Sequence, residues 1–253
     1  MASPEPIRPQ WNAPASVGSL STTRCGGVST VPYDDGKAGG GLNLGTHVGD
    51  RPKAVDRNRA LLRTFLPSDP AWLSQVHGTT VVDAASLHGV VPNADACISS
   101  TPGVVCVIQT ADCLPVLLCD LDGRVVGAAH AGWRGLANGI LEKTVARMGD
   151  AGAGSLMAWL GPAIGPNAFE VGQDVFDAFV VPDPETTAAF RAIEGRAGKY
   201  LADIYALARR RLANAGVSEV FGGDLCTVSD PARFYSYRRD GVTGRMVSLI
   251  WLK

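Results

Sequence analysis

Two apolar runs, "PVLLCD" at 115–120 and "RVVGAAHA" at 124–131, flank the dipeptide Asp122-Gly123, and this restricts the fold more tightly than any other stretch. Asp-Gly between apolar runs is a strong hairpin signal, because these residues tolerate the positive φ angles of a tight turn. With Asp122 and Gly123 as the two central residues, Leu121 faces Arg124 and, counting outward, His130 faces Pro115. Cys113 shares the parity of Pro115, so a regular strand puts its side chain on the same sheet face, diagonal to His130. Such neighbours have Cα atoms about 7–8 Å apart. Pro115 has no N–H for the ladder, so the strand ends near it and Cys113 lies at a mouth. The prediction assumes the two-residue turn, since a change of register moves every side chain to the other face.

The remaining chain alternates strand-like and helix-like segments. "SVGSLSTT", "AWLSQVHG", "GVVCVIQT", "SLMAWLGP" and the terminal "GRMVSLIWL" read as strands. "PKAVDRNRALLRTFL" has helical spacing behind the start signals Asp50 and Pro52. Leu136–Met148, "QDVFDAFV", "ETTAAFRAI" and "DIYALARRRLANAG" also read as helices, with Arg209, Arg210 and Arg211 as a solvated face. The glycine-rich segment at 24–50 reads as a long loop and makes no P-loop, because no Gly-Lys-Ser/Thr follows. Without an internal repeat or linker, the pattern predicts one α+β domain with mixed sheets. A proline-rich lead at 1–20 precedes a single domain over 21–253.

Composition narrows the function classes. A formal net charge of -1 gives no global field for nucleic acid or an anionic membrane. The apolar stretches are too short for a bilayer, which takes roughly 20 residues, and the prolines of the lead leave no signal-peptide core. A cytoplasmic protein is the expectation. Its six cysteines then read as thiols, with Cys97, Cys106 and Cys119 as small buried hydrophobes.

Only four histidines are present, and two end strand-like runs next to small residues: His130 in "AAHAGWRG" and His77 in "SQVHG". His47 and His88 read as loop histidines. His77, Cys113 and His130 allow two chemistries. Three ligands with an open fourth position suit catalytic zinc, and a thiolate with two imidazoles also takes copper. Without metal, Cys113 is a nucleophile and a histidine its base.

The motifs "STTRCGGVS", "LNLGTHVGD", "SQVHG", "ADACIS", "QTADCLPVLLCD", "AAHAGWRG", "GPAIGP" and "CTVSDPARFYSYRRDGVTGRM", in this order, resemble the laccase-domain family. This family is also called multicopper polyphenol oxidase-like or purine nucleoside phosphorylase, and it includes the bacterial peptidoglycan-editing factor. The resemblance implies a single four-layer α/β/β/α domain similar to a deamidating bacterial toxin, with a metal, usually zinc, on His77, Cys113 and His130. It implies phosphorolysis of adenosine, inosine and methylthioadenosine, and deamination of adenosine, on small-molecule substrates. An alternative is a cytoplasmic hydrolase that removes a wrong amino acid from a nucleotide-linked muramyl precursor. A copper-dependent polyphenol oxidase ranks below both, since four histidines cannot build a mononuclear and a trinuclear copper site together. A metal-binding partner protein without turnover is the non-enzymatic alternative. Arg24 and Arg134 are the candidates for phosphate, and Asn43, Gln109 and Tyr235 for other substrate contacts. Trp133 reads as core, and Asp112 as a general acid or base only if the chain bends there.

Overall fold

A computed structural model describes residues 4–37 and 39–253; residues 1–3 of the proline-rich lead and Ala38 of the glycine-rich segment lie outside the described residues. In chain order the elements are β1 (Val17–Ser21), β2 (Cys25–Ser29), α1 (Pro52–Arg63), β3 (Pro70–Ala71), β4 (Val81–Asp83) and β5 (Ala96–Ser99). Next come β6 (Val105–Thr110), β7 (Leu114–Asp120), β8 (Val126–Ala131), α2 (Trp133–Ala137), α3 (Ile140–Asp150) and β9 (Leu156–Leu160). The chain ends with β10 (Glu170–Gly172), α4 (Gln173–Val180), β11 (Phe190–Ala192), β12 (Lys199–Ala202), α5 (Ile204–Asn214), β13 (Glu219–Gly222), α6 (Tyr237–Asp240) and β14 (Met246–Leu252).

Two mixed sheets form the centre, one ordered β13-β9-β7-β8-β5-β4 and the other β1-β14-β6-β3; β10, β12 and β11 make a small third sheet. The continuous apolar run of β7 follows from its place between layers. Leu114, Val116 and Leu118 pack against Ile140, Leu141, Leu207 and Leu212 of α3 and α5. Leu117 and Cys119 face the other way, into an inter-sheet core with Cys106, Ile108, Ile250 and Leu252. On the far side of the second sheet, Val105, Val107, Val247 and Leu249 bury Leu62 of α1. The order of layers is therefore helix, sheet, sheet, helix, as the family resemblance implies. Cys97, Cys106 and Cys119 are fully buried within it.

The β7–β8 hairpin pairs Pro115 with His130, in the predicted register. Its turn is not the two-residue one. Asp120 N–H donates to Val125 O at 3.1 Å, leaving residues 121–124 as the loop, because the buried Asp120 carboxylate accepts from the N–H groups of Arg124 and Val125 at 2.6 and 2.8 Å. Both turns are symmetric about Asp122-Gly123, so the register survives.

Four elements differ from expectation. "AWLSQVHG" is strand only at its start, in β3. The helix expected over Leu136–Met148 is two helices, separated where Gly139 takes φ +89°. "ETTAAFRAI" forms a 3-10 turn, Pro184–Ala189, followed by β11. The glycine-rich segment contains β2 and folds back on it through bridges from Cys25 and Ser29 to Gly41. The three consecutive arginines do not form a solvated face: Arg210 pairs with Asp183 and Glu185, Arg211 with Glu142, and Arg209 donates to the carbonyls of Val220 and Gly222.

Candidate active site

His130 is the penultimate residue of β8, with its ring buried and its Nδ1 2.8 Å from Asp95 Oδ1. The same carboxylate accepts the N–H groups of Val76, His77 and Gly78 at 3.2, 2.9 and 2.7 Å. These three bonds hold His77 in the left-handed region at φ +59°, where a non-glycine residue needs tertiary support. Cys113 arrives by a second bend. Asp112 takes φ +87°, and β7 starts only after Cys113. The Asp112 carboxylate accepts from Thr227 Oγ1, Ser236 Oγ and Arg238 N–H at 2.5, 3.1 and 2.6 Å. The chain bends, as an acid/base role required, but the bend commits Asp112 to anchoring the C-terminal segment.

These turns bring Cys113 Sγ to 3.8 Å from His77 Nε2, and one ligand atom each of His77, Cys113 and His130 lies within 4.8 Å of the others. A tetrahedral zinc, with bonds near 2.0 Å to nitrogen and 2.3 Å to sulfur, separates its ligands by about 3.5 Å. The space among them is kept open by Gly132. A Cβ there would stand 3.0 Å from His77 Cδ2, 3.1 Å from Cys113 Sγ and 3.4 Å from His130 Nε2. The donor set and the gap both fit a single metal ion. With Asp95 holding the Nδ1 proton, the His130 Nε2 lone pair is left for it.

The electrostatics follow the same contacts. Burial alone would raise the Cys113 thiol, but hydrogen bonds to His130 and His77 and their charges bring its pKa down to about 6. Burial works against the His130 cation too, and Asp95 and the Cys113 thiolate outweigh it, raising the imidazole to about 9. Asp95 sits below the ordinary carboxylate range despite burial, because His130 and the N–H groups of Gly78 and Val76 favour its anion.

The three groups stand between two cavities. The larger, about 630 Å³, is lined by His47, Arg59, Trp72, Gln109 and Arg245 beside the three ligands. The smaller, about 200 Å³, meets His77 and Cys113 from the other side and is lined by Trp133, Arg134, Phe169 and Arg238. Tyr237 borders both. Of the residues expected at the substrate, Gln109 lines the larger cavity and Arg134 the smaller, with its guanidinium 4.3 Å from the Trp133 ring centre.

Arg24, Asn43 and Tyr235 line neither cavity. Arg24 donates to the carbonyls of Asp34 and Pro231, Asn43 is buried on Gly45, Asp50 and Arg245 N–H, and the Tyr235 hydroxyl donates to Tyr33 O. Their polar atoms close the glycine-rich segment against the C-terminal one. His47, read as a loop histidine, lines the larger cavity, while His88 lies in an exposed turn at φ +41°. Asp95, Arg59 and Arg245 are the site residues that the sequence reading missed. The one sequence signal for Asp95 is an acid set among small apolar residues in "NADACIS".

Fold and site together define a mixed α+β protein with one His/Cys/His group, the only such metal-ligating cluster among the described residues. The chain belongs to the family described as multi-copper polyphenol oxidoreductase laccase, whose model matches residues 18–253. It is 53% identical over 248 residues to an Escherichia coli protein named purine nucleoside phosphorylase YfiH, covering 97% of this chain and 98% of that one. A Pseudomonas aeruginosa purine nucleoside phosphorylase is 54% identical, with 98% of each chain covered. Among solved structures, a Neisseria meningitidis protein superposes with a TM-score of 0.90 at 53% identity, covering 98% of this chain and 99% of that one. YlmD from Geobacillus stearothermophilus gives 0.83 at 32%, covering 94% and 93%. These relatives support an enzyme acting on small molecules, and the ligand set accounts for one metal ion.

Proposed function

We propose that this chain is a zinc-dependent purine nucleoside phosphorylase that also deaminates adenosine at the same centre. The observation that carries the reading is the open His77/Cys113/His130 group, with its gap at Gly132, facing a cavity of about 630 Å³. That volume lies within the range of small-molecule sites, about 300–1,000 Å³. His77, Cys113 and His130 would hold the ion, which when bound supplies Lewis-acid chemistry and lowers the pKa of water. In phosphorolysis the N-glycosidic bond breaks and a phosphate oxygen bonds to C1′. The base leaves with the bonding electrons and takes the proton that phosphate gives up. In deamination a water oxygen bonds to C6 of the purine, the C6–N bond breaks, and the amino group takes a proton from that water and departs as ammonia.

The protein's own groups prepare both reactions. Asp95 keeps the His130 proton on Nδ1, the Cys113 thiolate offsets cationic charge, and Gly132 leaves room for an atom among the three groups. We place the enzyme in a reducing cytoplasm, where its six free thiols persist. A second reading, hydrolysis of an amide in a nucleotide-linked muramyl precursor, draws on the Cys113 thiol, whose pKa of about 6 suits a nucleophile.

The test incubates zinc-loaded protein with adenosine, with and without phosphate, beside His130→Ala. Adenine and ribose 1-phosphate are expected only with phosphate and only from the unmutated protein, and inosine and ammonia in either buffer. Adenine released equally with and without phosphate, or not at all, overturns the phosphorylase reading.

A further inference from the structure

The larger cavity holds a group of polar side chains that the reaction centre does not use. The Arg59 guanidinium, on α1, stacks 3.6 Å from the centre of the Trp72 ring and donates twice to Leu44 O, at 3.1 and 3.0 Å. Arg245, just before β14, donates from one nitrogen to the carbonyls of Thr243 and Gly244 at 3.1 Å each. Its stem fits only because residue 45 is glycine, where a Cβ would approach Arg245 Cγ to 2.8 Å. Neither guanidinium lies within ion-pair distance of a carboxylate among the described residues. Asp56 acts on Arg59 only at longer range. Arg196 and Arg210, by contrast, each bind carboxylates. His47 opens onto the same space, and burial together with the charges of Arg245 and Arg59 disfavours its cation.

Gln109 is an independent sign of a missing polar ligand. It is 9% exposed, and its Oε1 has no hydrogen-bond partner among the described residues. Its main-chain groups are satisfied by Gln75 at 2.7 and 2.8 Å, which leaves the side-chain amide bordering the cavity. A buried amide with an open hydrogen-bond position lowers stability unless a ligand fills it.

We infer that Arg59, Arg245 and His47 form a phosphate subsite in the wall of the larger cavity, and that Gln109 receives an O–H or N–H of the organic part of the substrate. Guanidiniums tied to main-chain carbonyls keep their remaining N–H groups oriented at no further cost in side-chain freedom, the arrangement that suits a tetrahedral oxyanion. Two fixed charges match a dianion better than a single carboxylate. Free phosphate, as the phosphorolysis reading requires, and a phosphate carried by a nucleotide share this chemistry. The assignment rests on that reading for the first source alone.

The experiment titrates zinc-loaded protein with inorganic phosphate and, separately, with inosine 5′-monophosphate, following heat of binding. The variants are Arg59→Gln, Arg245→Gln, Arg245→Lys and Gln109→Leu, each checked for folding by circular dichroism and for zinc content. Losing one charged fork should weaken phosphate binding about tenfold or more, with zinc retained, and Arg245→Lys should fall between. Gln109→Leu should leave phosphate affinity within about twofold while weakening inosine 5′-monophosphate, because its amide meets the organic part. Binding of the nucleotide alone, sensitive to both arginines, identifies the second source and supports the subsite. Folded arginine variants that bind both probes as the unmutated protein does, or an unmutated protein that binds neither, overturn it. If adenosine is not phosphorolysed while phosphate binding still depends on Arg59 and Arg245, the subsite stands and the phosphorolysis reading falls.

Discussion

Asp95 joins the two histidines of the site through one carboxylate, fixing the His130 ring by its Nδ1 and the His77 bend by three successive N–H groups. The candidate ligands are legible in the sequence, His77 and His130 as imidazoles set by small residues at the ends of apolar runs and Cys113 through the hairpin register. Asp95 is not, since its value lies in contacts 17 to 35 residues away. Its effect reaches Cys113. In metal-free protein between about pH 6 and pH 9, the Cys113–His130 pair is thiolate and imidazolium; below that window the thiol is protonated, and above it the imidazole is neutral. Alkylation of Cys113 by iodoacetamide, read by mass spectrometry, should therefore rise through pH 6 and level off. In Asp95→Asn a neutral amide no longer supports the His130 cation, so the inflection should move upward toward an ordinary thiol. Cys25, whose pKa is raised by burial and by Asp35, serves as the internal control that reacts only at higher pH. An unmoved inflection in Asp95→Asn would mean that the carboxylate does not set the charge of the pair.

Among the elements, the hairpin of β7 and β8 is the most legible, because apolar continuity and a symmetric turn fix its register without help from the rest of the chain. The neighbouring bends are not legible. Asp112 and His77 take positive φ angles only because distant groups hold them, and propensity carries no record of such contacts. The break at Gly139 is hidden for another reason: the apolar positions of α2 and α3 enter one core, so their spacing runs through it. The Asp112 anchor can be tested as an element. Its carboxylate gathers Thr227, Ser236 and the start of α6, which carries Tyr237 and Arg238 to the cavity walls. Asp112→Ala removes these bonds and leaves buried donors unpaired. A loss of about 3 kcal/mol is expected by urea denaturation, with zinc still bound through the three ligands. A variant as stable as the original protein would show that α6 is held by packing instead.

For the whole molecule, composition conceals what the fold arranges. A chain with a net charge of -1 collects in the lining of one cavity two guanidiniums that have no ion-pair partner among the described residues, and no count of charges shows that. Among the described residues no helix is long and apolar enough to cross a membrane. The three ligands also come from different parts of the architecture. His77 precedes β4 at the edge of the six-stranded sheet, Cys113 lies where the chain passes from β6 in one sheet to β7 in the other, and His130 is the penultimate residue of β8. A bound ion would therefore join two connections between the sheets to β8, and its binding energy would add to the stability of the native state alone. Free zinc at about a hundred times its Kd should contribute about 2.7 kcal/mol. At roughly 2–4 °C per kcal/mol for a domain of this size, the thermal midpoint should rise by about 5–10 °C. Calorimetric scans with zinc, and again after excess chelator, measure this shift and its reversal. His77→Ala removes an exposed ligand and should unfold at one midpoint with or without zinc. A zinc-induced rise retained by that variant would place the stabilising ion elsewhere on the protein.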